Sequence, residues 1–236
     1  MSIQNHTVAL DPSDPLYLPE SAGLFARARA ALRAFAVLTK DMGHPIAAPV
    51  LNVSMDAEVF ARLARQYALT DEGRALLRDR PDLQASSLDL ATLQQLPEGT
   101  LGKALGHYYE HNGITPFVST YPVRNDVEYL AKRFREVHDT LHIVTGYGTD
   151  SISELELQAF VAGNLGLRHP LLILGLTALF MPLDVPPVWK YFSKLRAAYR
   201  RGRQSKDVSL KPRYEHYWSS MLDEVRQRVG VAPAVP

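Results

Sequence analysis

The residues best able to do chemistry in this chain stand close together: His138-Asp139-Thr140-Leu141-His142, followed twelve residues after His142 by Glu154. On an α-helix each residue advances ~100°, so His138 and His142 lie ~40° apart, one turn above the other, with Asp139 ~100° round from His138. Imidazole nitrogens and carboxylate oxygens are donors that zinc, iron and manganese all accept, so the four side chains could collect one divalent metal ion. Plainer roles also fit. The histidines could form a half-buried hydrogen-bonded pair, with Asp139 accepting from one of them. Ser151-x-x-Glu154 could be a capping box, its glutamate reaching back to the Ser151 N–H. A zinc-protease helix would carry glutamate directly after its first histidine; the shorter arm of Asp139 argues against that chemistry.

The elements that must position these groups read as helices. Val127, Leu130, Phe134, Val137 and Leu141 recur at spacings of three and four, with no proline or glycine between Asp126 and Thr145, which predicts one continuous helix. Gly146-Tyr147-Gly148-Thr149-Asp150 then turns the chain, and a helix starting near Ser151 brings Glu154 back towards the first. Upstream, Ser21 to Thr39 predicts a helix with Leu24, Ala28, Ala31, Leu32 and Phe35 on its core side. Ser54 reads as the N-cap of a helix carrying Val59, Phe60, Leu63 and Tyr67. Shorter helices are predicted at 71–78 and 89–95, and another from Gly99 to Glu110. No stretch alternates polar and apolar residues long enough to demand a sheet. The fold class expected is all-α, about seven or eight helices, with the metal site between two adjacent helices. The expected layout is an extended polar segment over 1–20, a single helical domain over 21–230 and a flexible tail over 231–236.

Composition narrows the function. With 236 residues, 46% hydrophobic and 22% charged, the chain has ordinary globular balance. The absence of cysteine excludes disulfides, thiolate metal ligands and cysteine nucleophiles. A net charge of +1 and the lack of a recognised motif argue against nucleic acid as a partner. No glycine-rich loop precedes a helix in the manner of a nucleotide site. Met1 to Glu20 has neither an apolar signal core nor any arginine or lysine, so a cytoplasmic location is expected, on the cytoplasmic face of a bacterial inner membrane if peripheral.

A second feature is lipid-like. Leu171 to Met181 is an uncharged run of eleven residues between Pro170 and Pro182. As a helix it rises only ~16 Å, about half of what is needed to span hydrocarbon, so a buried core helix is the default and an isoprenoid-binding wall the alternative. Beside it, residues 190–213 hold nine lysines or arginines against one acidic residue, a composition suited to phosphate headgroups or to a solvated helix face.

The spacing His-Asp-x-x-His, eleven residues, then Glu resembles the signature of the coenzyme Q (ubiquinone) biosynthesis protein 4 family. The likeness covers roughly residues 96 to 230. It includes Leu96-Pro97-Glu98-Gly99-Thr100-Leu101-Gly102, Phe134-Arg135-Glu136-Val137, Arg200-Arg201-Gly202-Arg203, and Tyr214 to Gly230 with Tyr217-Trp218 and Val225-Arg226. Ser153 stands where many members have glycine, and the turn lacks the mitochondrial type's proline, which suggests a bacterial-type branch. The resemblance implies a metal-dependent enzyme that removes the C1 carboxylate of a polyprenylated 4-hydroxybenzoate and, with oxidation, leaves a hydroxyl. Its implied metal ligands are His138, Asp139, His142 and Glu154, holding one divalent ion, zinc, iron or manganese. Substrate-binding candidates are Arg200, Arg201, Arg203 and Trp189, for a polyprenylated aromatic or prenyl phosphate lipid. It equally implies an alternative: a lipid-binding scaffold with a structural metal that organises other quinone-biosynthesis enzymes. Peripheral membrane association and a homodimer are further expectations.

Overall fold

The structure, a computed structural model, describes residues 10–41, 43–83, 89–180 and 191–234, and side chains within them except at 176–180. Trp189 and the end of the apolar run lie outside the described residues. Among those described, the chain is all-α. In order the helices are α1 Leu24–Leu38, α2 Ala47–Tyr67, α3 Asp71–Asp79, α4 Leu90–Gln95, α5 Leu101–Asn112, α6 Asp126–Glu136, α7 His138–Thr145, α8 Ser151–Leu165, α9 His169–Phe180, α10 Phe192–Gln204 and α11 Leu222–Val229. The count exceeds the seven or eight expected partly because the helix predicted over 126–145 is two, α6 and α7, with Val137 between them.

The chain divides into two compact units. The first draws on Met1–Ser86 and Phe117–Glu136 and contains α1, α2, α3 and α6. Phe60, Leu76, Leu130 and Ala34 are fully buried there, and Asn52 Nδ2 donates to the Ala131 carbonyl at 3.1 Å, tying α2 to α6. The helix predicted to begin at Ser54 starts earlier, at Ala47, and bends at Asp56, whose backbone leaves the helical region. Thr70 caps α3 by accepting from Gly73 N, with Asp71 and Glu72 in the first turn, where the helix dipole favours them.

In this unit the core side of α1 differs from the one read in the sequence. Ala30, Ala34 and Leu38 are buried, while Leu24, Phe25 and Leu32 are 81%, 92% and 71% exposed. Both faces of this alanine-rich helix carry apolar residues at helical spacing, so periodicity alone is ambiguous. The small side chains face inward because they let the α2 backbone approach closely.

The second unit draws on Ser87–Pro116 and Val137–Pro236 and holds the remaining helices. Its core includes Leu101, Leu105, Leu141, Val144, Leu157, Phe160 and Tyr214, each apolar side chain contributing roughly 1.5–3 kcal/mol on burial. The pairing of α8 with α10 depends on two glycines: a Cβ on Gly163 would sit 2.1 Å from the Tyr199 carbonyl oxygen, and one on Gly202 2.0 Å from that of Phe160. Asn164 Nδ2 spans the same contact, donating to the Gly202 carbonyl at 3.1 Å and the Lys206 carbonyl at 2.7 Å. The start of α5 is joined to the start of α11 by backbone bonds from Leu101 to Ser220 (2.9 Å), Gly102 to Trp218 (2.8 Å) and Leu222 to Gly99 (2.8 Å).

Candidate metal centre

The helix α7 is only eight residues long, too short to persist alone in water, so its ends must be held from outside. At its C-terminus Gly146 adopts a left-handed conformation, φ 78°, which glycine adopts without strain. The last carbonyls are taken by two guanidinium groups. Arg226 donates to Ile143 (2.9 Å) and Val144 (3.1 Å), and Arg201 donates to Thr145 (2.8 Å). Both cations sit where the helix dipole is negative. Arg201 also lies over the rings of Tyr147 and Phe160, at 5.0 and 5.1 Å, and donates to the Ala232 carbonyl. Among the substrate-binding candidates, Arg201 therefore braces the turn, while Arg200 and Arg203 are exposed on α10.

The turn in its place holds His142. That ring is 2% exposed, and its Nδ1 lies 3.2 Å from the Tyr147 carbonyl oxygen and 3.0 Å from that of Gly148. Carbonyl oxygens only accept, so Nδ1 carries a proton, and in the neutral form of the ring the Nε2 lone pair is directed towards α8. Tyr108 of α5 stacks on the same ring, with centroids 5.7 Å apart and planes at 25°.

On α8 the N-cap is Asp150, which accepts from Ile152 N at 3.0 Å and Ser153 N at 3.2 Å. Asp150, not Ser151, does the capping, so the carboxylate of Glu154 is not spent on its own helix. Its Oε1 is 3.1 Å from His142 Nε2, and its Oε2 is 3.7 Å from His138 Nε2. His138, His142 and Glu154 can each offer a ligand atom such that all three lie within 4.8 Å of one another.

Asp139 stands one step behind this trio. Its Oδ1 is 3.3 Å from His138 Nδ1, and its Oδ2 accepts from the buried Tyr109 hydroxyl at 3.0 Å. That is the arrangement by which a carboxylate fixes the tautomer and orientation of a metal-binding histidine. Neither Tyr108 nor Tyr109 was singled out by the sequence reading, and no local spacing marks them, because they reach the site from α5, some thirty residues upstream.

The fit of a cation to this set rests on one atom. His142 Nε2 is buried and has no hydrogen-bond partner, although a carboxylate oxygen is 3.1 Å away. Two lone pairs facing each other at that distance repel unless a proton or a metal ion lies between them. Burial disfavours a charged imidazole here, yet the nearness of Glu154 and the Tyr147 carbonyl outweigh it and hold the His142 pKa above its ordinary value. Burial also pushes Glu154 up, but the two histidines reverse this and hold its pKa below its ordinary value. The cluster thus favours positive charge, supplied by a proton or by a cation, and two nitrogens with one carboxylate suit a divalent transition metal. Glu154 keeps 39% of its side-chain surface and His138 18%, so the trio has an open side.

Comparison with known proteins agrees with this architecture. The family model described as coenzyme Q (ubiquinone) biosynthesis protein Coq4 matches residues 23–235. A human protein named mitochondrial ubiquinone biosynthesis protein COQ4 homolog is 32% identical over 234 residues, covering 94% of this chain and 84% of its own length. The mouse protein of the same name is 34% identical over 191 residues, with coverage of 78% and 70%. In Xenopus tropicalis the counterpart is 32% identical over 192 residues, and the match spans 66% of that protein. A crystal structure from Nostoc punctiforme shares the fold, with a TM-score of 0.66 at 23% identity over 85% of this chain and 96% of that one. The chain belongs to the Coq4 family of coenzyme Q (ubiquinone) biosynthesis proteins.

Proposed function

We propose that this protein acts in ubiquinone biosynthesis as a metal-dependent enzyme that removes the C1 carboxylate of a polyprenylated 4-hydroxybenzoate, leaving a hydroxyl in its place. Replacing carboxylate by hydroxyl is a net oxidation, so the reaction also consumes an oxidant. The observation that carries the reading is the convergence of His138 Nε2, His142 Nε2 and the uncapped Glu154 carboxylate beside an open face. These three residues would hold the ion, with Asp139 orienting His138 or joining as a fourth ligand. A bound divalent ion supplies Lewis-acid stabilisation of charge on the substrate carboxylate or phenolate as carbon dioxide departs.

The rest of the unit prepares that chemistry. The Tyr147 and Gly148 carbonyls keep His142 in one tautomer, and the Tyr108 ring shields it from water. The apolar tail of the substrate would lie along α9, where Leu171 and Leu172 are 49% and 37% exposed. That exposure favours a lipid-facing wall over the buried core helix that was the sequence default. Each CH₂ taken from water contributes ~0.8 kcal/mol. Among the described residues no helix is long and apolar enough to cross a membrane, so a lipid substrate would be met at the bilayer surface.

The deciding experiment is elemental analysis of protein purified without an affinity metal, beside His142→Ala and Glu154→Ala, followed by mass spectrometry of products from a prenylated 4-hydroxybenzoate. Near-stoichiometric metal lost in both variants, together with turnover that follows metal content, is expected. Stoichiometric metal that raises the melting temperature without turnover would assign the ion to structure and the chain to a scaffold for partner enzymes.

A further inference from the structure

Within the first unit the outward face of α1 is an apolar stripe that includes two large side chains. Phe25, Ala28, Leu32 and Ala36 fall within ~80° of one another at ~100° per residue, and all four are exposed. Arg29 and Arg33, also exposed, flank this stripe along one edge. From Ser21 to Lys40 the chain contains Arg27, Arg29, Arg33 and Lys40 and no acidic residue, against +1 for the whole protein. The carboxylates at either end are engaged locally: Glu20 accepts from Asn125 Nδ2, and Asp41 Oδ1 accepts from Gly43 N at 3.0 Å.

We propose that this face of α1 is a docking surface for an anionic phospholipid membrane. An apolar stripe with phenylalanine and leucine at its centre and arginines beside it is the pattern of a helix lying in the plane of the interface. The rings and methyl groups enter the acyl boundary while the guanidinium groups reach phosphate. Fifteen residues, ~22 Å of helix, can lie along a surface and cannot span it. A second copy of the chain fits less well, because the same face of that copy offers no carboxylate, and burying arginines without counter-ions is costly. The proposal stands on α1 alone and is independent of the metal centre.

The test is flotation of the full chain with phosphatidylcholine vesicles, with and without phosphatidylglycerol. Binding is expected only where phosphatidylglycerol is present, and it should fall as salt is raised. Arg29→Gln with Arg33→Gln should weaken binding by about 30-fold, and Phe25→Ser with Leu32→Ser should abolish it. Metal content and melting temperature should be unchanged in both. If either pair fails to fold, the single substitutions Arg29→Gln and Leu32→Ser take its place, and anionic-vesicle binding unchanged in both overturns the assignment to α1. Equal binding to neutral vesicles, or none to anionic ones, overturns the proposal. A dimer in sedimentation that Phe25→Ser with Leu32→Ser converts to a monomer would instead give the face to a second copy.

Discussion

Replacing Asp139 by asparagine separates the two roles this residue could have. In the structure both carboxylate oxygens are engaged, Oδ1 with His138 Nδ1 at 3.3 Å and Oδ2 with the Tyr109 hydroxyl at 3.0 Å. Asparagine can keep this geometry: its carbonyl accepts from the imidazole, its amide donates to the tyrosine oxygen, and the tyrosine proton turns elsewhere. What is lost is the negative charge that makes His138 Nε2 a better donor to a cation. Loss of such an orienting partner typically costs 10–100-fold in metal affinity, about 1.4–2.7 kcal/mol. Asp139→Asn should therefore still bind one metal ion, with the dissociation constant raised by that factor in a competition titration against a chelator. Tyr109→Phe removes one neutral contact to the carboxylate and should lower affinity by less than about tenfold. A folded Asp139→Asn protein that binds no metal at all would refute the reasoning and make Asp139 a ligand.

Three further outcomes follow from local geometry. Asp150→Ala removes the acceptor for Ile152 N and Ser153 N, which should cost about 1 kcal/mol in a denaturant melt. Because Ser151 and Glu154 can then form the capping box, metal affinity should fall as well. Gly202→Ala would set a Cβ 2.0 Å from the Phe160 carbonyl oxygen, and should lower stability by about 1–3 kcal/mol or more, read as a drop of several degrees in melting temperature. Burial pushes the Glu136 carboxyl up to about 7, Lys132 opposing and Asp82 adding to the shift. The raised folded-state pKa means this group favours the folded state fully below about 4.5 and loses that contribution as pH rises through 7. Stability of the unsubstituted chain should decline across that window, and Glu136→Gln should flatten the decline in chemical denaturation measured at each pH.

The helical class, the turn at 146–150 and the three clustering side chains were legible from residue spacing because each depends on a local period or a local glycine. Two other features were not. Two of the three buried positions of α1 went to alanines because backbone approach, not side-chain bulk, decided its packing there, and a one-dimensional pattern of apolar residues cannot express that. The role of Glu154 turned on which neighbour capped its helix: Ser151 fits the capping-box pattern, but Asp150 takes both N–H groups and releases the carboxylate. One residue of register thus separates a structural glutamate from a candidate ligand.

Why a five-residue motif alone does not make this site is clear from what holds α7. Its last carbonyls, which would otherwise lack partners and fray the turn carrying His142, are closed by Arg201 and Arg226, 56 and 82 residues from the carbonyls they bond. The Tyr147 and Gly148 carbonyls can fix the His142 tautomer only while that turn is held. The histidine tautomer needed for a cation is therefore set by the packing of α10 and α11 as much as by α7 itself. It follows that Arg226→Ala, which touches α7 only through the Ile143 and Val144 carbonyls and is no candidate ligand, should weaken metal binding and stability together. His138→Ala, at a partly exposed candidate ligand, should remove the metal and leave the fold nearly as stable as the metal-free parent. Metal titration and melting of the two variants side by side check this. Equal loss of stability in both would mean that the ion, and not the arginine brace, holds α7 in place.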